Sequence, residues 1–126
     1  MRQFAALGLV LLGLGAVPRA APTAAPTVCG SPGKPACPLQ AWMREQMAAP
    51  YATRRFDELA SNALALVALN PDPREWRDWD ELAVNAARAC KAHDEVQTLR
   101  VCTQCHRTHR QEYLTQYRTR ALPDAR

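Results

Sequence analysis

The chain has 126 residues, with 16 Lys and Arg against 12 Asp and Glu and a formal net charge of +4 at pH 7. A chain this short can bury only a limited core, so we expect one small domain. The charge excess is modest and no aromatic-plus-basic pattern is present, which argues against a nucleic-acid-binding module. No nucleophile–base pair or carboxylate dyad has a catalytic spacing, so the sequence does not indicate an enzyme.

Residues 1–20, which read MRQFAALGLVLLGLGAVPRA, are typical of a secretory signal peptide. Arg2 supplies a positive start, and Phe4 to Val17 form an apolar run. That run is shorter than the ~20 apolar residues that a membrane-spanning helix needs. We therefore predict an exported, periplasmic protein without an integral membrane span in its mature form. The sequence does not fix the cleavage site within residues 16–25.

Residues 21–36 (APTAAPTVCGSPGKPA) are predicted to form a flexible Pro- and Ala-rich linker, because they show no periodicity. Export permits disulfides. Cys29 and Cys37 flank a turn-rich segment that can bring its ends together, so we predict a Cys29–Cys37 disulfide. Val28, directly before Cys29, and the distance from the apolar run argue against lipid anchoring at Cys29.

Residues 37–121 are predicted to form a single all-α domain, since no segment alternates like a strand and apolar residues recur at helical spacing. Short loops between amphipathic helices favour an antiparallel up-down-up-down four-helix bundle. Asp78 with Glu81, and Asp94 with Gln97, are predicted to start the third and fourth helices. The predicted helices are Leu39–Ala49, closed by Pro50, then Thr53–Leu69, Asp78–Lys91 and Asp94–Arg120.

The fourth predicted helix carries Cys102-Thr103-Gln104-Cys105-His106, which reads C-x-x-C-H, the attachment pattern of c-type haem. Residues three apart lie on one side of a helix, so the two thiols can each add to one vinyl group on a porphyrin edge. The adjacent His106 can then reach the iron. We predict one covalent haem c per chain, with Cys102 and Cys105 as thioethers and His106 as an axial ligand.

Other uses of a C-x-x-C pair stay open at this point. A redox pair would be expected within a thioredoxin-like βαβ pattern, and the sequence shows none. A zinc-stabilised structural module would need two further ligands, which Cys90, His93 or His109 can supply in principle. Cys90 lies among alanines of the third predicted helix, where a small buried core residue is the simpler interpretation.

The fourth predicted helix also carries a run of residues at spacings of three and four, which predicts one core-facing stripe. We expect the haem to lie between this stripe and a facing helix. His109, one turn beyond His106 on the same helix, cannot reach the opposite haem face and is interpreted as a packing or propionate-facing residue. The stripe consists of Leu99, Cys102, His106, His109, Tyr113 and Tyr117.

An exported four-helix chain with C-x-x-C-H on its last helix resembles cytochrome c′ and its low-spin, methionine-ligated relatives, compact exported bacterial haem proteins. The motif in that family often continues with an aromatic and a basic residue, and His109 and Arg110 stand at those positions. Low-spin members have a methionine followed by a basic residue on helix one. Trp42-Met43-Arg44 fits that pattern, so the resemblance implies Met43 as the sixth ligand of the iron.

The resemblance does not extend to every feature. The distance from helix one to C-x-x-C-H is shorter than is typical of the family, so the family's dimer interface is not carried over. Monomer and homodimer both stay open. Met47, one turn after Met43 on the same face, is the alternative sixth ligand.

Four further residues are predicted beside the haem. Arg44 and Arg110 are expected to pair with the propionates through charge-assisted hydrogen bonds. Trp42 and Tyr113 are expected to pack against the ring.

Two function classes follow from a haem. A six-coordinate His106/Met43 iron indicates an electron carrier that serves redox partner proteins, because methionine raises the potential of a His-ligated haem. A five-coordinate iron with an open distal face instead indicates a protein that binds or senses nitric oxide or carbon monoxide. The occupancy of the sixth position decides between them.

Overall fold

The structure is a computed structural model that describes residues 29–123. The predicted signal peptide and the first part of the predicted linker lie outside those residues. Within them the protein is all-helical, with four helices and no strand, which confirms the predicted all-α class. Helix α1 has three consecutive segments: α-helical Pro38–Met43, π-helical Arg44–Ala48 and α-helical Ala49–Ala52. Helix α2 is Phe56–Ala65 with a 3-10 turn, Leu66–Leu69; α3 is Arg77–Lys91 and α4 is Glu95–Gln116.

Helix α1 continues through Pro50, so the prediction that Pro50 ends it is wrong. A proline inside a helix leaves the carbonyl four residues earlier without its usual N–H partner. That carbonyl belongs to Gln46, and the side-chain amide of Asn62 on α2 donates to it at 2.7 Å. The π turn and this bond let α1 pass the proline and hold it against α2.

Helix α2 begins later than predicted and tightens at its end. The 3-10 turn buries Leu66 and Leu69, whereas Leu64, in the α-helical part before it, is 53% exposed. A 3-10 turn has fewer residues per turn than an α-helix, so it rotates the last leucines towards the core. Regular α-helical spacing therefore does not hold through the last turn of α2.

Of the two predicted N-terminal caps, the cap of α4 is confirmed and the cap of α3 is wrong. The Asp94 side chain accepts a hydrogen bond from the Gln97 N–H at 2.9 Å, as predicted for the start of α4. The predicted cap at Asp78 is wrong, because α3 begins at Arg77 after Trp76. Asn70 explains the shift, since its side-chain amide donates to the Trp76 carbonyl and to Asp80 and ties the preceding loop to the first turn of α3.

The core lies where α3 packs against both α2 and α4. Small buried side chains, among them Ala63, Ala86 and Cys90, let these helices approach closely. Helix α1 packs against α2 through its π turn and its last segment. Among the described residues, no Cα atom of α1 lies within 8 Å of a Cα atom of α4.

The segment before α1 forms a short closed loop. The sulfurs of Cys29 and Cys37 lie at disulfide distance, with their Cα atoms 4.9 Å apart, so the predicted disulfide is confirmed. Within residues 29–123, no helix is long and apolar enough to cross a bilayer.

Candidate functional site

A cleft of about 710 Å³ separates α1 from α4. Its volume falls in the range of roughly 300–1,000 Å³ that proteins use for small molecules and cofactors. Leucines from α2, α3 and α4, together with Ala83 and Ala86, make its floor and walls predominantly apolar. The cleft therefore suits an apolar ligand of cofactor size.

The C-x-x-C-H residues lie together on the α4 wall of this cleft. Cys102, Cys105 and His106 all line it and belong to one uninterrupted helix. The two cysteines are half-buried and His106 is exposed. Their spacing of three and four residues puts the thiols and the imidazole on neighbouring positions of one helix face.

The predicted stripe of α4 is not one buried face. His109 and Tyr113 are buried, but Leu99 is 55% exposed and His106 is exposed as well. The prediction of a single core-facing stripe is therefore wrong for Leu99 and His106. The physical reason is the cleft, which keeps this part of α4 from packing against α1.

The environment of the cleft sets the protonation of these groups. Burial raises the pKa of the Cys105 thiol to about 11, with smaller contributions from Cys102 and Asp78, and burial also raises the pKa of Cys102. Both cysteines are thus neutral thiols near pH 7. Partial burial of the imidazole against the cleft wall, helped by the charge of Arg110, lowers the pKa of His106 although the residue as a whole is exposed. A neutral imidazole has a lone pair with which to bind a metal.

The opposite wall, from α1, presents two thioethers. Met43 and Met47 both line the cleft, and so does Arg44. Trp42, predicted to pack on the haem, is not part of the lining and packs instead against the core cluster that contains Leu39 and Trp76.

Three arginines line the cleft and no carboxylate does: Arg44, Arg110 and Arg118. None of them forms an ion pair within the part of the chain that the structure describes. The Nε atom of Arg118 is buried without a hydrogen-bond partner. This cationic, carboxylate-free lining is suited to an anionic group at the cleft, since an unpaired buried donor is costly.

Sequence reasoning missed Arg118. It follows Tyr117 with no periodic pattern to mark it, and the disulfide loop brings it to the cleft. A Cβ atom built on Gly30 of that loop would lie 3.9 Å from an Arg118 guanidinium nitrogen. A contact between residues so far apart in sequence leaves no local signal.

His109 lies outside the cleft lining and packs in an aromatic cluster. Its ring stacks on Trp76 with centroids 4.8 Å apart, and its Nε2 atom lies 3.3 Å from an Asp78 carboxylate oxygen. Tyr113 lines the cleft, as expected for a residue beside the predicted haem, and its buried hydroxyl has no hydrogen-bond partner.

The zinc alternative lacks an assembled ligand set. Within residues 29–123, no group of three or more His, Cys, Asp or Glu side chains is placed to hold a metal ion. Cys90 is fully buried, its sulfur accepts a hydrogen bond from Thr98 at 3.7 Å, and it does not line the cleft. A haem iron needs no such cluster, because the porphyrin itself supplies the equatorial ligands.

Comparisons of the chain with protein-family models, with curated proteins and with solved structures find no match. The resemblance to cytochrome c′ therefore stays a prediction that rests on the motif and its place in the chain.

Proposed function

We propose that this protein is an exported mono-haem c-type cytochrome that carries electrons, with His106 and a methionine of α1 as the axial ligands. One observation carries the proposal. Two thiols and an imidazole at the haem-attachment spacing line an apolar cleft of cofactor size, and two thioethers line its other wall.

The donor set fits a covalent haem. Cys102 and Cys105 would hold the porphyrin edge, and the neutral imidazole of His106 would bind the iron from the α4 side. When bound, a haem supplies an iron that exchanges one electron, and a methionine ligand raises its potential. His106 and a methionine of α1 would hold the iron, and the apolar cleft walls would keep water from it.

The charges of the cleft fit the same group. A haem carries two carboxylates on an otherwise apolar ring. The three cleft arginines can pair with them, and charge-assisted bonds to a planar guanidinium are the strong kind. Arg118 joins the predicted Arg44 and Arg110 in this role, since its buried Nε atom lacks a partner.

Two contacts support an antiparallel course of α1 and α4. Near the start of α1, the Cys29 sulfur lies 3.9 Å from the Arg118 carbonyl oxygen beyond the end of α4. Just after the end of α1, Arg54 pairs with Glu95 at the start of α4. These ends fit the up-down-up-down bundle, in which a haem would lie between the first and last helices.

Export is supported by the disulfide, because such bonds persist in oxidising compartments. The same bond occupies the Cys29 sulfur that lipid anchoring would require. The proposed location is therefore the periplasm, where redox partner proteins would exchange electrons with the haem.

Expression of the full chain in an exporting host with c-type haem maturation tests the proposal. We expect a coloured protein whose colour stays with the chain in acidified acetone, and a low-spin spectrum in both oxidation states. Cys102→Ala with Cys105→Ala should give colourless protein. The matched control Cys90→Ala, at the buried cysteine outside the cleft, should keep its colour.

Three results would contradict parts of this proposal. Colour that extracts into acetone, or a zinc-loaded and colourless protein, would rule out covalent haem. A covalently attached but high-spin haem that binds carbon monoxide readily would replace the electron carrier with the gas-binding alternative.

A further inference from the structure

We infer that the methionine facing His106 across the cleft is Met47, one turn beyond the Met43 that the family resemblance implies. The inference rests on the proposed function and names the ligand within it. Three features support it: the positions of the residues along the lengths of α1 and α4, the packing of the two methionines, and the π turn of α1.

The position of His106 along the length of the cleft can be compared with the positions of Met43 and Met47. Counted from the disulfide end at 1.5 Å per residue, His106 lies about 15 Å from Gln116 at the end of α4, while Met43 and Met47 lie about 8 Å and 14 Å from Pro38 at the start of α1, so this count puts His106 at about the level of Met47. Counted from the Arg54–Glu95 end, where two long side chains span the gap, the level of His106 falls at Met43. The His106 Cα atom therefore lies at a level between the two methionines.

The direction of side chains decides between them. Helical side chains lean towards the N-terminus of their own helix. The His106 imidazole therefore leans towards the Glu95 end of the cleft. Because α1 runs the other way, its thioethers lean towards the disulfide end. A methionine whose sulfur faces the imidazole must therefore have its Cα atom nearer the C-terminal end of α1 than the level of the His106 Cα atom. Met47 meets this condition.

The packing of the two methionines gives the same answer independently. Met47 packs against the core cluster of Ala63, Leu82, Ala86, Ala87 and Val101, and Cys105 packs against that same cluster. Met47 also packs against the other two core clusters, one of which holds Tyr113 and Trp79, whereas Met43 packs only against that one. Met47 therefore reaches the surroundings of the residue directly before His106, and Met43 does not.

The π turn holds Met47 in this place. Met47 belongs to the π-helical segment Arg44–Ala48, a type of turn that recurs at functional sites. Asn62 donates to the carbonyl of Gln46, the residue directly before Met47, and so fixes this part of α1 to α2. No side-chain hydrogen bond fixes the backbone next to Met43 among the described residues.

Leucine replacements test the assignment, because leucine keeps most of the methionine volume and removes the sulfur. We propose to compare haem-loaded Met47→Leu and Met43→Leu with the wild-type protein. One readout is the far-red charge-transfer band of the oxidised protein that thioether ligation produces. The other is the methionine methyl resonance that the porphyrin ring current shifts in the reduced protein. We expect Met47→Leu to lose both signals and Met43→Leu to keep both.

The opposite pattern, with both signals lost in Met43→Leu and kept in Met47→Leu, would overturn the Met47 assignment and leave the His/Met electron carrier standing. A wild-type protein that lacks both signals would remove the methionine ligand altogether, and the proposed function would fail together with the inference. Covalent haem content, measured by mass in each variant, separates a lost ligand from a lost cofactor.

Discussion

Helix α4 meets its two neighbours in different ways. Towards α3 it packs closely, with Val101 buried against Ala86 and Ala87 and with Thr98 buried and donating to the Cys90 sulfur. Towards α1 it leaves a cleft of about 710 Å³. Small side chains on one face let two backbones approach, whereas the other face carries the C-x-x-C-H residues and lines the cleft. One interface is filled with protein atoms, and the other leaves the space that the proposed haem would occupy.

The closely packed region should bear most of the stability, so its disruption should have the largest effect. Trp76 is 4% exposed and contacts the rings of Trp79, His109 and Tyr117. We expect Trp76→Ala to lower the free energy of unfolding by about 3–5 kcal/mol, measured by urea denaturation of the purified protein. Val96→Ala, at a residue 71% exposed on α4, is the control and should change it by less than about 0.5 kcal/mol. Equal losses would mean that the aromatic cluster is not the stable core.

The disulfide closes one end of the cleft and should matter less than the core. Replacing both Cys29 and Cys37 by serine should cost about 2 kcal/mol, because the unfolded chain gains the freedom of the opened loop. Hydrogen exchange should quicken in residues 38–52 and stay unchanged in α3. The wild-type protein treated with a reductant should match the double variant. Faster exchange in α3 would show that the loop supports the core and not the cleft.

The smallest effect is expected at Tyr113, where the two regions meet. Burial raises the pKa of its phenol, and nearby Arg120 offsets part of that rise. An unfolded tyrosine loses its proton near pH 10, so the folded state loses stability as the pH rises above that value. Tyr113→Phe should reduce this alkaline loss. Its effect at neutral pH should stay within about 1 kcal/mol, because the buried hydroxyl has no partner to lose.

Thermal melts of wild-type protein and Tyr113→Phe between pH 8 and 11 would measure this difference. Tyr51→Phe, on the α1 side of the cleft, serves as the matched control. An alkaline loss that Tyr51→Phe removes and Tyr113→Phe leaves intact would contradict the assignment.

The sequence by itself determined the features that depend on neighbouring residues. Helical spacing and the absence of alternation predict the all-helical class, and the Asp94 cap follows from a local pattern. The Cys29–Cys37 pair follows from a turn-rich segment that closes on itself. The C-x-x-C-H motif also carries its own chemistry, since five consecutive residues bring two thiols and an imidazole to one helix face.

Only the tertiary structure decided the features that depend on contacts between distant residues. Pro50 does not end α1 because Asn62, from another helix, takes up the carbonyl that the proline leaves. Arg118 reaches the cleft because a disulfide loop far away in sequence lies beside it. The spacing of Met43 and Met47 places both on one face of α1. Their distances from His106 depend on how α1 lies along α4. Helical periodicity shows which face a residue occupies, but the level at which two helices meet is set by the packing between them.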